Sequence, residues 1–380
     1  MTTRSDRILT THVGSLPRPE ALSQLLLAKE FGEPFDVATY EAEARLAVAD
    51  AVRRQREAGI DIISDGEMSK IGYATYIKDR CTGYSGESPR NPPADLERFP
   101  AYLKRSVEEG QSPKIVRPMC TGEVAIKNSV ALEADVENFQ KAYEGCGAVA
   151  GFMNAASPGV IAAFLPNSYY PSDEAYLEAL AVVMRDEYEA IHAAGFLVQI
   201  DCPDVAMARH IWFKELDDAD FVKRAELNVE ILNHALENIP ADRARMHVCW
   251  GNYEGPHDCD IELSKIVGVL CRAKPHAISF EAANPRHAHE WSVWRESPLP
   301  EDKLLMPGVV DSSSNFIEHP EYVAERICRF ADVVGRERVI ASSDCGFGTF
   351  ATYGRVDPDI SYAKLRTLSE GAEIASAKLW

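Results

Sequence analysis

The sequence predicts an α/β chain of the (β/α)8 TIM-barrel class, and three observations carry that reading. Short apolar runs alternate with long amphipathic stretches, the runs are numerous enough to close a barrel, and each run ends in polar residues.

The candidate strands, in chain order, are ILTTHVGS (8–15), IDIISDGE (60–67), IVRPMCTGE (115–123), GFMNAAS (151–157), FLVQIDCP (196–203), ARMHVCW (244–250), HAISFE (276–281), LLMPGVVD (304–311) and RVIASSDCG (338–346). Nine is one more than the barrel needs. Pro118 interrupts the third run and cannot donate to a ladder, so that run is placed outside the barrel. Residues 42–59, 173–195 and 220–239 carry apolar side chains at three- and four-residue spacing and read as outer-ring helices. The first two finish in Ala-Gly just before a strand, as a left-handed glycine cap requires, and the third reaches its strand through Pro240. The Pro-, Gly- and Ser-rich stretch that opens residues 81–114 reads as an inserted loop or lid. No repeat or low-complexity tract divides the chain, so residues 1–380 are expected to form a single catalytic barrel domain.

With 46% hydrophobic residues there is material for a large core. A formal charge of −19 argues against a nucleic-acid partner, which requires clustered Lys and Arg. The opening MTTRSDRILTT is charged and has no apolar leader core, and no window approaches the length of a membrane span. Nine cysteines without framework spacing fit a reducing compartment, so a cytoplasmic protein with no membrane partner is expected; self-association into a homo-oligomer stays open.

Functional side chains of such a barrel sit at the C-terminal strand ends. Here those ends hold His12 and Ser15, Asp65 and Glu67, Asp201 and Asp204, His247 and Cys249, Glu281, Asp311, Asp344 and Cys345. His247 and Cys249 are two apart, so strand alternation points both to one face. Glu281 closes the next strand, Cys345 follows another, and barrel closure can bring the four together; one nitrogen, one carboxylate and two thiolates suit tetrahedral zinc. Spacing alone leaves open a core cysteine beside a hydrogen-bonded histidine.

MHVCWGNYEGPH, HAISFE and SSDCGFG, in this order, resemble the zinc-ligand segments of cobalamin-independent methionine synthase and its relatives. TTHVGSLPRP, ISDGE and AGFLVQIDCPD resemble further strands of the same family, so the likeness covers nearly the whole chain. It implies zinc ligands His247, Cys249, Glu281 and Cys345, and contacts from Ser15, Glu67 and Asp201 to an amino-acid substrate. With one barrel only, the chain is similar to the shorter branch of the family, which includes epoxyalkane:coenzyme M transferase. Two departures stand out. Cys202 replaces a family glutamate after Asp201. Ser313, two residues after Asp311, replaces a catalytic histidine, and a serine hydroxyl cannot serve as an imidazole-like proton donor near neutral pH.

The resemblance implies that zinc turns a small thiol into a nucleophile toward a methyl or alkyl donor, with Glu281 the ligand an incoming sulfur displaces. Ser15, Glu67 and Asp201 fit a homocysteine-like acceptor. The alternative is addition of coenzyme M to an epoxide, whose sulfonate would look to Arg18, Lys70, Arg117 or Arg286. Outside that chemistry stand a metal-independent enzyme like uroporphyrinogen decarboxylase and a protein with purely structural zinc. Asp311 and Ser313 mark the catalytic position. His12, His210, His257 and His319 are candidate proton sources by residue type, and Tyr73, Tyr76, Trp250 and Tyr253 are candidate pocket aromatics.

Overall fold

A computed structural model describes residues 6–109 and 112–380. The charged opening, residues 1–5, and residues 110 and 111 of the expected insertion lie outside the described residues. The strands are β1 (Leu9–Thr10), β2 (Ile62–Ser64), β3 (Tyr84–Ser85), β4 (Met119–Cys120), β5 (Ala150–Ala156), β6 (Leu197–Asp201), β7 (Ala244–Val248), β8 (Ala277–Phe280), β9 (Leu304–Val310) and β10 (Ile340–Ser343). Eight of them form one parallel sheet in the order β1-β10-β9-β8-β7-β6-β5-β2, a nearly closed barrel. The run broken by Pro118 contributes only β4, which pairs antiparallel with β3 outside the barrel, as expected.

The helices predicted from periodicity are Val37–Glu57, Asp173–Ala193 and Asp218–Ala235. Each starts where a side chain caps an orphan backbone N–H: Asp36 accepts from Thr39, Ser172 from Ala175 and Asp217 from Asp220. Gly59 and Gly195, at φ of 83° and 93°, end the first two in the left-handed conformation. Pro240 leads the third into a 3-10 turn, Ala241–Arg243, before β7. Among the described residues no helix is long and apolar enough to cross a membrane.

Leu9, Ile62, Phe152, Leu197, Ala277, Leu304, Met306 and Ile340 form a separate apolar cluster drawn from β1, β2, β5, β6, β8, β9 and β10. It fills the barrel toward its N-terminal end, with the Arg245 guanidinium lying 3.9 Å from the Phe152 ring. The larger core packs strands against helices. Between β1 and β2 no ladder pairs form. Side chains bridge the gap instead: Thr10 N and Oγ1 donate to Asp61 Oδ2, Thr11 Oγ1 donates to Ile62 O at 3.0 Å, and Ser64 Oγ donates to Gly14 O at 3.0 Å.

The insertion is built from helices as well as loop: Ala94–Glu97 and Pro100–Glu108 lie over the C-terminal mouth. Asp95 anchors it. This fully buried carboxylate accepts from Tyr253 Oη at 2.9 Å and from His257 N at 2.8 Å, while Lys214 Nζ donates to Pro92 O at 2.6 Å.

Gly308 in β9 faces Ser342 of β10, and a Cβ there would lie 2.6 Å from Asp344 Cα and 2.8 Å from Asp344 N. Backbone cannot yield as a side chain can, so Gly308→Ala should destabilise the fold by about 1–3 kcal/mol. Urea unfolding followed by circular dichroism measures this, and an unchanged midpoint would contradict the packing described.

Candidate active site and metal centre

Strand ends, loops and insertion enclose a cavity of about 480 Å³ at the barrel mouth. His247 on β7, Cys249 just beyond it and Cys345 just beyond β10 stand on its wall. Their donor atoms all lie within 4.8 Å of one another, and the two sulfurs are 3.8 Å apart. His247 Nδ1 lies 3.3 Å from Ser279 Oγ, whereas Nε2 is buried with no hydrogen-bond partner. A buried ring nitrogen left unpaired is costly. Burial and the nearby Arg245 push the His247 pKa down to about 3, so the ring is neutral and that lone pair is free. A neutral imidazole and two thiols suit a divalent metal such as zinc, and the residues present fit one. Cys345 beside it and burial push the Cys249 thiol well up, and a bound cation reverses that direction by favouring the thiolate.

Glu281, just beyond β8, stands outside this trio. Its Oε1 accepts from Trp250 N at 2.7 Å and its Oε2 from Asn284 Nδ2 at 2.8 Å, and burial next to Cys249 pushes its carboxyl well above the usual range. The loop that carries it is fixed by Asp344, whose carboxylate accepts from the backbone N–H of Ala282, Ala283 and Asn284. Asn252 ties three loops together: it donates to Gly346 O and Thr349 Oγ1 and accepts from Ser312 Oγ.

Ser15, Glu67 and Asp201 line the same cavity. Asp201 faces His247 across the β6–β7 register and accepts from Asn154 Nδ2 and Gln199 Nε2. Ser15 packs under Gly346, where a Cβ would lie 1.9 Å from Ser15 Oγ. Glu67 has φ of 55°, a left-handed conformation unusual for a residue with a side chain. Asp65 Oδ1 accepts its N–H and Arg18 donates to its carbonyl, which holds it there. Glu67 Oε2 is buried without a hydrogen-bond partner. Burial raises both carboxyl pKa values, and Asp201 raises Glu67 further, to about 8.

The other sequence candidates divide. Asp311 and Ser313 are joined to each other, Ser313 Oγ donating to Asp311 Oδ1 at 2.8 Å, and neither lines the cavity. His12 is sealed in the barrel, accepting from Gly14 N and bonded to Gln55, and burial lowers its pKa to about 4. His319 is exposed at the start of helix Pro320–Val334. His210 and His257 lie behind the cavity wall at Tyr253, around Asp260, which also receives His287 Nε2 at 3.0 Å. Of the aromatics, Tyr73 and Tyr253 line the cavity. Tyr76 instead donates to Asp135 and Trp250 to Ile261 O. Of the cations, Arg18 and Lys70 are engaged with backbone carbonyls, Arg286 is exposed, and only Arg117 lines the cavity. Sequence reasoning missed Asp95, Asn252, Asp260, His287 and Glu290, which organise the insertion and loops. Gln199, two residues before Asp201 on the same strand face, could have been read from alternation.

An unfolded glutamate titrates near 4.5, whereas buried Glu67 keeps its proton to higher pH, so folding stability contributed at this site falls as pH rises from about 4.5 through about 8. Glu67→Gln lacks that loss. Its melting temperature should match the wild type near pH 4.5, exceed it progressively up to about pH 8 and keep a constant lead above that, read by thermal melts across pH; a gap that does not change between pH 4.5 and pH 8 would contradict the assignment.

The family model described as the catalytic domain of cobalamin-independent synthase matches residues 8–162 and 160–354. A methionine synthase of Thermococcus kodakarensis is 26% identical over 97% of this chain and 94% of its own. A 2-hydroxypropyl-CoM lyase of Xanthobacter autotrophicus is also 26% identical, over 98% of this chain and 96% of its own. In fold, a B12-independent methionine synthase from Shewanella sp. W3-18-1, solved with selenomethionine, superimposes with a TM-score of 0.71 at 22% identity, covering 98% of this chain and 99% of that one. With a matched span that takes in every barrel strand and all three members of the donor trio, the chain belongs to the cobalamin-independent synthase catalytic-domain family.

Proposed function

We propose that this chain is a zinc-dependent transferase that moves a methyl or similarly small alkyl group onto a small thiol without cobalamin, with residues 1–380 acting as one catalytic barrel in the cytoplasm. The observation that carries the reading is the buried trio His247, Cys249 and Cys345 on a cavity wall, with His247 Nε2 unpaired. The names of the relatives, methionine synthase and 2-hydroxypropyl-CoM lyase, support sulfur–carbon chemistry. Zinc bound by this nitrogen and sulfur set would supply a Lewis acid that keeps a thiol ionised near neutral pH. His247, Cys249 and Cys345 would hold it, and Glu281, kept beside Cys249 by its bonds to Trp250 and Asn284, would be the candidate fourth donor once one of those bonds is released.

The acceptor we favour is an amino-acid thiol of the homocysteine type. Glu67 and Asp201 face the cavity beside the trio, and an ammonium group placed between them would satisfy Glu67 Oε2 and draw both carboxyls to their ionised forms. A sulfonate in that place would face the Asp201 carboxylate and oppose ionisation of Glu67, which disfavours coenzyme M as the thiol. Ser15 completes the acceptor site. The cavity walls would orient the reacting thiol for displacement at carbon. Asp311 and Ser313, closed onto each other off the cavity wall, enter the proposal as supports of the loop after β9.

Elemental analysis of the purified protein should find one zinc per chain, lost in Cys345→Ala. Metal-edge X-ray absorption should gain a sulfur neighbour on addition of homocysteine and not of coenzyme M, and chelation should leave far-ultraviolet circular dichroism unchanged. A wild type without metal, or a chain that unfolds on chelation and whose metal ignores every thiol, overturns the reading.

A further inference from the structure

Two clamps hold Glu281 off the donor trio, and one buried histidine stands behind both. The first clamp is the Trp250 backbone N–H on Oε1, and the second is Asn284 Nδ2 on Oε2. His287 packs against the Trp250 indole with the ring centroids 4.4 Å apart, and the far side of the loop fixes the same indole, whose Nε1 donates to Ile261 O at 2.7 Å. Toward the second clamp, His287 N donates to Asn284 Oδ1 at 3.1 Å and to Asn284 O at 3.2 Å. That turn sets the direction in which the Asn284 amide reaches Glu281.

His287 is itself immobilised. Its Nδ1 lies 2.8 Å from Glu290 Oε2 and its Nε2 lies 3.0 Å from Asp260 Oδ2, and all three side chains are buried. Burial opposes a charge on the ring, but Asp260 and Glu290 hold its pKa up to about 10, so near neutral pH both nitrogens donate. The carboxylates are anchored in turn: Glu290 Oε1 accepts from Leu263 N at 2.7 Å, and Asp260 Oδ2 also meets His257 Nδ1 at 2.9 Å. A buried ionic cluster adds little net stability over apolar side chains of the same volume, so what it supplies here is fixed geometry. His287 does not line the cavity, and its only route to the chemistry runs through the residues it fixes.

We propose that His287 is a positioning residue that keeps Glu281 in reserve: by fixing Trp250 and Asn284 it holds the carboxylate on those two donors, so that a metal on His247, Cys249 and Cys345 keeps its fourth position open to an incoming thiol. This rests on the metal reading of the trio. Burial apart, Cys249 is the group that acts most on the Glu281 carboxyl, so the two are neighbours. With either clamp slack, an oxygen of Glu281 is free to take the fourth position, and a thiol then has a carboxylate to displace.

Four full-length proteins test this: wild type, His287→Gln, Glu281→Gln and the double variant. Zinc affinity is read by competition with a chromophoric chelator, and homocysteine affinity by calorimetry on the zinc-loaded protein. His287→Gln should bind zinc about tenfold more tightly than wild type and homocysteine about tenfold more weakly. Both changes should vanish in the Glu281→Gln background. A histidine with a purely structural role lowers the melting temperature and leaves zinc binding unchanged or weaker in both backgrounds. Should circular dichroism show His287→Gln unfolded, Glu290→Gln keeps the ring, loosens its hold and decides with the same signs. Zinc binding that is unchanged or weaker in the single variant, or a gain that persists without Glu281, overturns the proposal. A wild type that takes up no zinc removes the metal reading and this inference with it. A wild type that takes up zinc and ignores homocysteine overturns only the choice of thiol, and zinc affinity then decides the role of His287.

Discussion

Barrel closure between β1 and β2 is the constraint on which the site depends. Seven of the eight contacts around the sheet are backbone ladders, but β1 and β2 are too short and too far apart to pair, and side chains close the ring. Asp61 receives Thr10 and Arg7, while Gln55 from the first long helix accepts Ser64 N and bonds His12. Further up, Leu16 N donates to Gly66 O, which fixes the two loops that carry Ser15 and Glu67 side by side. A hydrogen bond to an ionised or buried acceptor is worth more than a ladder bond and costs more to lose. The seam is therefore both the least regular part of the barrel and the part that brings β1 and β2 functional groups to the wall opposite β7.

A closed barrel also explains why the site is electrostatically expensive. Glu67, Asp201, Glu281 and Asp344 are all buried, and burial is the largest cause of the upward pKa shift in each. Compensation is uneven. Asp344 takes three backbone N–H groups and Asp201 two side-chain amides, so these two are satisfied without a ligand. Glu67 Oε2 and His247 Nε2 are not. A buried polar atom left unpaired calls for an explanation, and a ligand that completes the set is one. These two unpaired atoms belong to residues on the wall of one cavity, one a carboxyl oxygen and one an imidazole nitrogen, which separates the proposed ammonium site from the proposed metal site by chemistry as well as position.

Most of the fold was legible because it follows from alternation. Seven of the eight barrel strands fall inside the sequence runs and β5 starts one residue early at Ala150, while the Pro118 run lies off the barrel for the reason proline gives. The trio was legible in the same way, since His247 and Cys249 share a face and Cys345 ends a strand two places round the sheet from β8. Asp95 was not legible. Nothing in PPADLE distinguishes a helix-starting aspartate from one that buries itself against Tyr253, more than a hundred and fifty residues away. His287, bonded on both ring nitrogens to Asp260 and Glu290 with its pKa raised to about 10, was equally silent, because a loop histidine acquires partners only in three dimensions. Asp311 was singled out by its strand end and Ser313 by resemblance, and the serine hydroxyl donates to Asp311 while neither residue lines the cavity.

The insertion changes what the barrel floor can accept. The floor is made by strand ends, so its donor trio and carboxylates are positions that the barrel itself dictates. The mouth is lined by described residues of the insertion, which no barrel strand constrains, and these set Arg90, Arg117, Asn91, Ser106 and Ser112 among apolar side chains. Asp95 couples the two layers: its hydrogen bonds run to Tyr253 and His257, on the loop that follows Cys249. A ligand seated against the insertion would therefore bear on the loop that follows Cys249. On the proposed reading the floor sets which atom is activated, and the insertion sets what that atom meets.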